Sequence, residues 1–195
     1  VTARVRDIDS QLAAVDTEVN QRLRSSVDEI NGFAKRIADL NKSIMEAAGA
    51  NPTSPPNDLL DARDQALIGL NKLVKVSTVE QADGALNVFI GSGQSLVLSN
   101  NPQELTVSAN RFDPSRPAVT LPGGGVSTDA LEGGSLGGLI AFREDVLAPV
   151  RSQVGLLAMS LASQINSIQQ SGRDLSGNAG QAFFSIPPVV VQSSG

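Results

Sequence analysis

Near the start of the chain, apolar residues recur at three- and four-residue steps over some forty positions, and this run constrains the fold more than any other feature. Ile8, Leu12, Val15, Val19, Leu23, Val27, Ile30, Ala34, Ile37, Leu40 or Asn41, and Ile44 form a narrow seam, with Arg, Asp, Glu, Gln and Asn between them. Such a period is that of an α-helix with one buried stripe. No proline interrupts residues 5–45, and Gly32 is the single glycine among them. At 1.5 Å per residue this is a rod of roughly 60 Å, longer than an ordinary globular helix. The four-residue steps between Val15 and Val27 depart from a strict heptad and locally unwind any left-handed supercoil.

The segments beyond the rod also read from local chemistry. Gly49-Ala50-Asn51-Pro52-Thr53-Ser54-Pro55-Pro56 ends the helix, since consecutive prolines neither continue it nor donate backbone hydrogen bonds. Asn57 or Asp58 then suits the N-cap of a second helix over residues 59–73, whose face is marked by Leu59, Leu60, Arg63, Leu67, Leu70 and Val74. From Val76 the period changes from 3.6 to 2: Val76, Thr78 and Glu80 alternate with Ser77 and Val79. Asp83-Gly84 offers a hairpin turn, and Leu86, Val88 and Ile90 alternate with Asn87 and Phe89. Shorter strands are expected at 95–99, 105–108 and 118–121, with loops through 100–102, 113–117 and 122–125. Helical spacing resumes at Leu139 or Ile140, Val146 or Leu147, Val150, Val154, Leu157, Leu161, Ile165 and Ile168. This second long helix can bury its stripe only against the first helix or a partner chain. Glycine-rich loops come next, and Ile186-Pro187-Pro188-Val189-Val190-Val191 reads as a new extended segment.

The missing residue types narrow function. The chain has no His, Cys, Trp or Tyr, which removes Cys–His and Ser–His–Asp nucleophile systems and any zinc or copper site built on imidazole or thiolate. Fifteen Lys and Arg against 20 Asp and Glu give a net charge of -5, without the basic footprint of a nucleic-acid binder or of a protein that docks on anionic membrane. No run approaches the roughly 20 continuous apolar residues that span a bilayer. The start, Val1-Thr2-Ala3-Arg4, lacks both Met and a signal-peptide core; it reads as that of an excised internal fragment.

Three patterns imitate chemistry. Gly133-Gly134-Ser135-Leu136-Gly137 fits the G-x-S-x-G nucleophile elbow, but the elbow needs a histidine base that the chain does not contain. Asp58, Asp61 and Asp64, three residues apart, resemble hard-cation ligands; carboxylates at a helix start are favoured by the helix dipole without any ion. Asn41-Lys42-Ser43 matches a glycosylation sequon but falls in mid-helix. The readings are therefore no enzyme, no cofactor and no metal.

Several ordered blocks carry a family resemblance. Pro56-Asn57-Asp58-Leu59-Leu60-Asp61-Ala62-Arg63-Asp64-Gln65 resembles the signature of the bacterial flagellar hook-associated protein 1 family, proteins of the hook–filament junction. Ile30-Asn31-Gly32-Phe33-Ala34-Lys35-Arg36-Ile37-Ala38-Asp39-Leu40-Asn41 is similar to the end of the family's rod helix, and Asp83-Gly84-Ala85-Leu86-Asn87-Val88-Phe89-Ile90 with Gly93-Gln94-Ser95-Leu96-Val97 to its hairpin. Gly134-Ser135-Leu136-Gly137-Gly138-Leu139-Ile140-Ala141-Phe142-Arg143 matches the approach to its next long helix. Gln153-Val154-Gly155-Leu156-Leu157-Ala158 and Ala182-Phe183-Phe184-Ser185-Ile186 sit where the family has its late helix and the exit to its next domain. Hook-associated protein 3 and flagellin share the helical-rod plan, but the 57–63 and 134–142 blocks favour the first family. Residues 100–129 show no useful match.

The resemblance implies a mainly α fold with a small antiparallel β element (α+β), an elongated rod of two long helices and one short one. It would occupy residues 1–182, with the β element at about 75–122, and residues 183–195 would begin a following domain. It further implies an extracellular structural part of the flagellum, secreted by the flagellar type III export apparatus and joining hook to filament through lateral self-assembly. The implied partners are copies of itself in a ring, hook protein and the second junction protein, hook-associated protein 3. An export chaperone would bind through a C-terminus not in this sequence, and neither nucleic acid nor membrane is expected. Arg63, Asp64, Arg143 and Glu144 are the candidates for inter-subunit ion pairs, although solvated or intrachain charge explains most such residues. A coiled-coil surface adhesin or a secretion-system tip protein is the alternative reading.

Overall fold

The computed structural model describes residues 2–51, 54–109, 116–120, 131–173 and 175–185. Helix α1 runs over Thr2–Ala50 as 49 residues without a break, and α2 over Asn57–Leu73. Among the described residues six strands come after them: β1 Val76–Glu80, β2 Leu86–Ile90, β3 Gln94–Leu98, β4 Asn101–Pro102, β5 Thr106–Ala109 and β6 Pro117–Thr120. The last helical stretch has three parts: α3 over Gly134–Ala141, a π-helical turn over Phe142–Leu147, and α4 over Ala148–Ser171. This is the mainly α architecture with a small antiparallel β element that the period changes predict. The extended segment expected at 186–191, and parts of the loops at 113–117 and 122–125, lie outside the described residues.

The β element is two sheets. β1 to β4 form one antiparallel sheet in sequence order, with β1 and β2 registered from Val76↔Ile90 to Glu80↔Leu86, while β5 and β6 pair separately. β4, only two residues long, pairs antiparallel with β3 where the sequence suggested loop; so short a strand leaves no alternation to detect. The register shifts by one residue at Val88/Phe89, a β-bulge that adds twist to the central strand.

Two compact units divide the chain. One comprises Val15–Asp145, the other Val1–Ala14 with Val146–Gly195. The core belongs to the first. Val19, Leu23, Val27, Ile30, Ala34 and Ile37 of the α1 seam are buried, as are Ala66 and Leu70 of α2, Val88, Ile90, Leu96 and Val97 of the larger sheet, and Leu136 and Ile140 of α3. The close packing shows at Gly69, where a Cβ would run into the Phe33 ring, and at Gly134, where it would collide with the backbone of Leu73 and Val74. Gly134 also has a positive φ of 62°, so the glycines of the apparent nucleophile elbow serve a tight approach and a helix start. In the second unit no residue of α4 is buried. Val154, Ala158, Leu161 and Ile165 are half-covered, while Leu156, Leu157 and Ile168 of the expected seam region are 63%, 65% and 72% exposed.

Two local details have local causes. α2 begins at Asn57 with Pro56 in the cap position and no side-chain cap bond, so neither Asn57 nor Asp58 caps it; the carbonyl of Pro56 accepts from the Leu59 and Leu60 amides instead. The π-helical turn precedes Pro149, near the start of α4. Proline donates no bond to the carbonyl four residues back, that of Asp145, and its ring crowds it. Widening the turn that contains Asp145 relieves that crowding.

Candidate assembly surface

The four expected contact residues form two sequence-adjacent pairs, Arg63-Asp64 on α2 and Arg143-Glu144 on the π-helical turn. Neighbours on a helix point about 100° apart, and in both pairs the arginine faces inward. Arg63 is 5% exposed and Arg143 4%, whereas Asp64 and Glu144 are exposed.

Arg63 joins a polar node inside the apolar core. Its Nη1 donates to Asn41 Oδ1 at 3.1 Å and to the Gly84 carbonyl at 2.8 Å. Asn41 Oδ1 also accepts from the Leu86 amide at 3.1 Å, and Asn41 Nδ2 donates to the carbonyls of Leu86 at 2.8 Å and Ser99 at 2.6 Å. One asparagine thus ties α1 to Arg63 of α2, to the start of β2 and to the residue just past β3. The buried guanidinium is held by amide oxygens, and its Nε has no hydrogen-bond partner. A second asparagine works similarly elsewhere on α1: Asn31 Nδ2 donates to the Leu105 carbonyl at 2.9 Å, and its Oδ1 accepts from the Leu105 amide at 2.8 Å.

Arg143 forms the other node. Its Nη1 donates to the Pro117 carbonyl at 3.0 Å and its Nε to Glu144 Oε1 at 3.2 Å, while Glu144 Oε2 lies 3.6 Å from Arg116 Nη1. The π-helical turn is thereby fastened to the start of β6, with Glu144 bridging two guanidinium groups at the surface.

Sequence reasoning placed the four charged residues but not the partners that hold the arginines. Asn41 carried a signal, since it stands in a seam where Ile37 and Ile44 flank it and an apolar side chain would be expected. Arg116 and the Pro117 carbonyl fall within residues 100–129, where no useful family match was found, in a stretch expected only as loop. Of the chemical imitations, Ser135 is exposed at the start of α3, and Asp58, Asp61 and Asp64 all face solvent. Among the described residues no group of three or more carboxylates is placed to hold a metal. The continuous helical stretch Gly134–Ser171 is long and apolar enough on average to cross a bilayer, with little of it buried, although no unbroken apolar run of that length exists.

Helices that flank a small antiparallel insert in the chain, with two arginines spent on internal fastening, define a helical structural domain. A sequence profile of the FlgK flagellar hook-associated protein helical domain matches residues 1–184, and the chain belongs to that family. It is 36% identical over 192 residues to flagellar hook-associated protein 1 of Escherichia coli K12, covering 95% of this chain and 35% of the relative. Identity to the Salmonella typhimurium LT2 protein of the same name is 38% over 191 residues, covering 95% and 34%. The solved flagellar hook junction protein FlgK from Burkholderia pseudomallei superposes with a TM-score of 0.86 at 35% identity, over 95% of this chain and 34% of that one. The chain therefore spans about a third of the length of these relatives.

Proposed function

We propose that this domain is a mechanical adaptor in the bacterial flagellum, part of a ring of copies packed side by side between hook and filament. The observation that carries this reading is the likeness, over 95% of the chain, to a protein described as a flagellar hook junction protein. In this reading the domain performs no chemistry; it is extracellular, having passed through the flagellar type III export apparatus, and its neighbours are further copies, hook protein and hook-associated protein 3. Residues 1–182 act as the rod domain with its β insert, and residues 183–195 lead into the next domain. Arg63 and Arg143, bonded within the chain, orient the adjoining Asp64 and Glu144 toward neighbouring copies.

Gold-labelled antibody against this domain should mark the distal end of the hook on intact cells. Diffuse labelling of the cell surface would overturn the adaptor reading in favour of an adhesin. Cysteines at Asp64 or Glu144, treated with bifunctional reagents in assembled flagella, should give inter-subunit products. If position 64 and position 144 yield only monomer, these carboxylates are not at the lateral contact.

A further inference from the structure

β5 and β6 pair with each other and, among the described residues, with no strand of the larger sheet. A two-stranded ladder alone is marginally stable in water, so what holds this pair in place lies outside it. β5 itself contributes little: Thr106, Ser108 and Ala109 are exposed, and Val107 is half-buried. The apolar hold rests on Val119, which has no exposure, on the buried Pro117, and on Leu105 just before β5.

Two polar moorings complete the hold, and they differ in kind. At the end where Thr106 faces Thr120, the Asn31 side chain both donates to and accepts from the backbone of the buried Leu105. At the other end, where Ala109 faces Pro117, Arg143 donates one bond to the Pro117 carbonyl at 3.0 Å, and proline has no amide to add a second. The Arg116–Glu144 pair beside it has side chains 35% and 41% exposed, an arrangement that contributes little and weakens with salt. Parting this end leaves no buried polar group alone: the Pro117 carbonyl turns to water, and the guanidinium keeps Glu144. What is lost is mainly the apolar cover of Val119. Parting the larger sheet from α1 would instead strand Asn41 and Arg63 in the core, which carries the larger penalty.

We propose that the β5–β6 pair is a strap that opens while α1, α2 and the larger sheet stay folded, swinging on the Asn31 mooring and releasing the Pro117 end. Opening turns Arg143 from a buried fastener into a surface cation beside Glu144, free to meet a carboxylate outside the chain. One movement thus decides whether this guanidinium is spent inward or offered outward. The strap is a property of the single domain and does not rest on the adaptor reading.

Native-state hydrogen exchange separates the two regions. The slowest amides of residues 106–109 and 118–120 should exchange at least ~10-fold faster than the slowest of residues 86–90, since a local opening needs less free energy than global unfolding. Dilute denaturant should accelerate residues 86–90 and barely change the strap, because opening the strap exposes little surface. Arg143→Met keeps an apolar side chain at the buried position and removes the donor; it should speed strap exchange several-fold further and leave residues 86–90 unchanged. Arg143→Lys, which retains a cation and a donor, should fall between. Exchange of both regions at one rate with one denaturant slope overturns the proposal, as does a folded Arg143→Met variant that acts on both regions alike or on neither. If Arg143→Met fails to fold, the comparison within the parent chain still decides.

Discussion

The Val15–Asp145 unit and the unit formed by Val1–Ala14 with Val146–Gly195 are built from the same kind of sequence, helices with an apolar stripe, yet among the described residues the buried apolar cluster lies in the first. In the first, the α1 stripe is met by α2, two sheets and α3, and its residues from Val19 to Ile44 reach near-zero exposure. In the second, the α4 stripe stops at half burial and Leu157 and Ile168 stand mostly in water. Periodicity therefore reports that a helix has an apolar face, not that the same chain covers it. Burial stabilises by roughly 25 cal/mol per Å² of apolar surface removed from water, so equivalent-looking leucines in the two units contribute very differently.

That difference can be broken experimentally. Leu23→Ala, at a site with no exposure, should destabilise the domain by about 3–4 kcal/mol, the usual result for a fully buried leucine. The effect would be read as a lower denaturant midpoint. Between this limit and an exposed site lies Asn41→Ala, which leaves two carbonyls, an amide and a guanidinium short of a buried partner; it should cost about 2–3 kcal/mol. Asn41→Asp is the sharper variant, since it retains an acceptor for Arg63 and loses both donors. If Asn41→Ala is as stable as the parent, water fills the node and the asparagine is not its organiser. Leu157→Ala, at 65% exposure, should change stability by less than ~0.5 kcal/mol. Comparable losses at Leu23 and Leu157 would mean that α4 is covered in solution and that the contrast is wrong.

Much of the fold was legible in the residues alone. The helices follow from 3.6-residue spacing, the hairpin from Asp83-Gly84 between alternating runs, and the helix stop from Pro55-Pro56. What escaped was short or nonlocal. β4 has too few residues to show a period, the separation of β5 and β6 from the main sheet is a matter of tertiary pairing, and the π-helical turn needed Pro149 to be read as an interior proline. The orientations of the charged residues were legible in part. A one-residue step along α2 or the π-helical turn decides whether a charge faces the core or water. Spacing set Arg63 among the apolar residues of the α2 face, where it is buried, but did not show that Arg143 takes the inward position.

The acceptors of Arg63 carry a further consequence. Exposed ion pairs such as Glu18–Arg22 and Arg116–Glu144 weaken as dissolved ions screen them. Arg63, by contrast, is buried and held by the amide oxygens of Asn41, also buried, and of the partly covered Gly84, neither of which bears a net charge. The fastening of α1 to α2 should therefore be nearly indifferent to salinity. For a part that works, as proposed, in whatever fluid surrounds the cell, that leaves this one joint equally firm in fresh water and in brine.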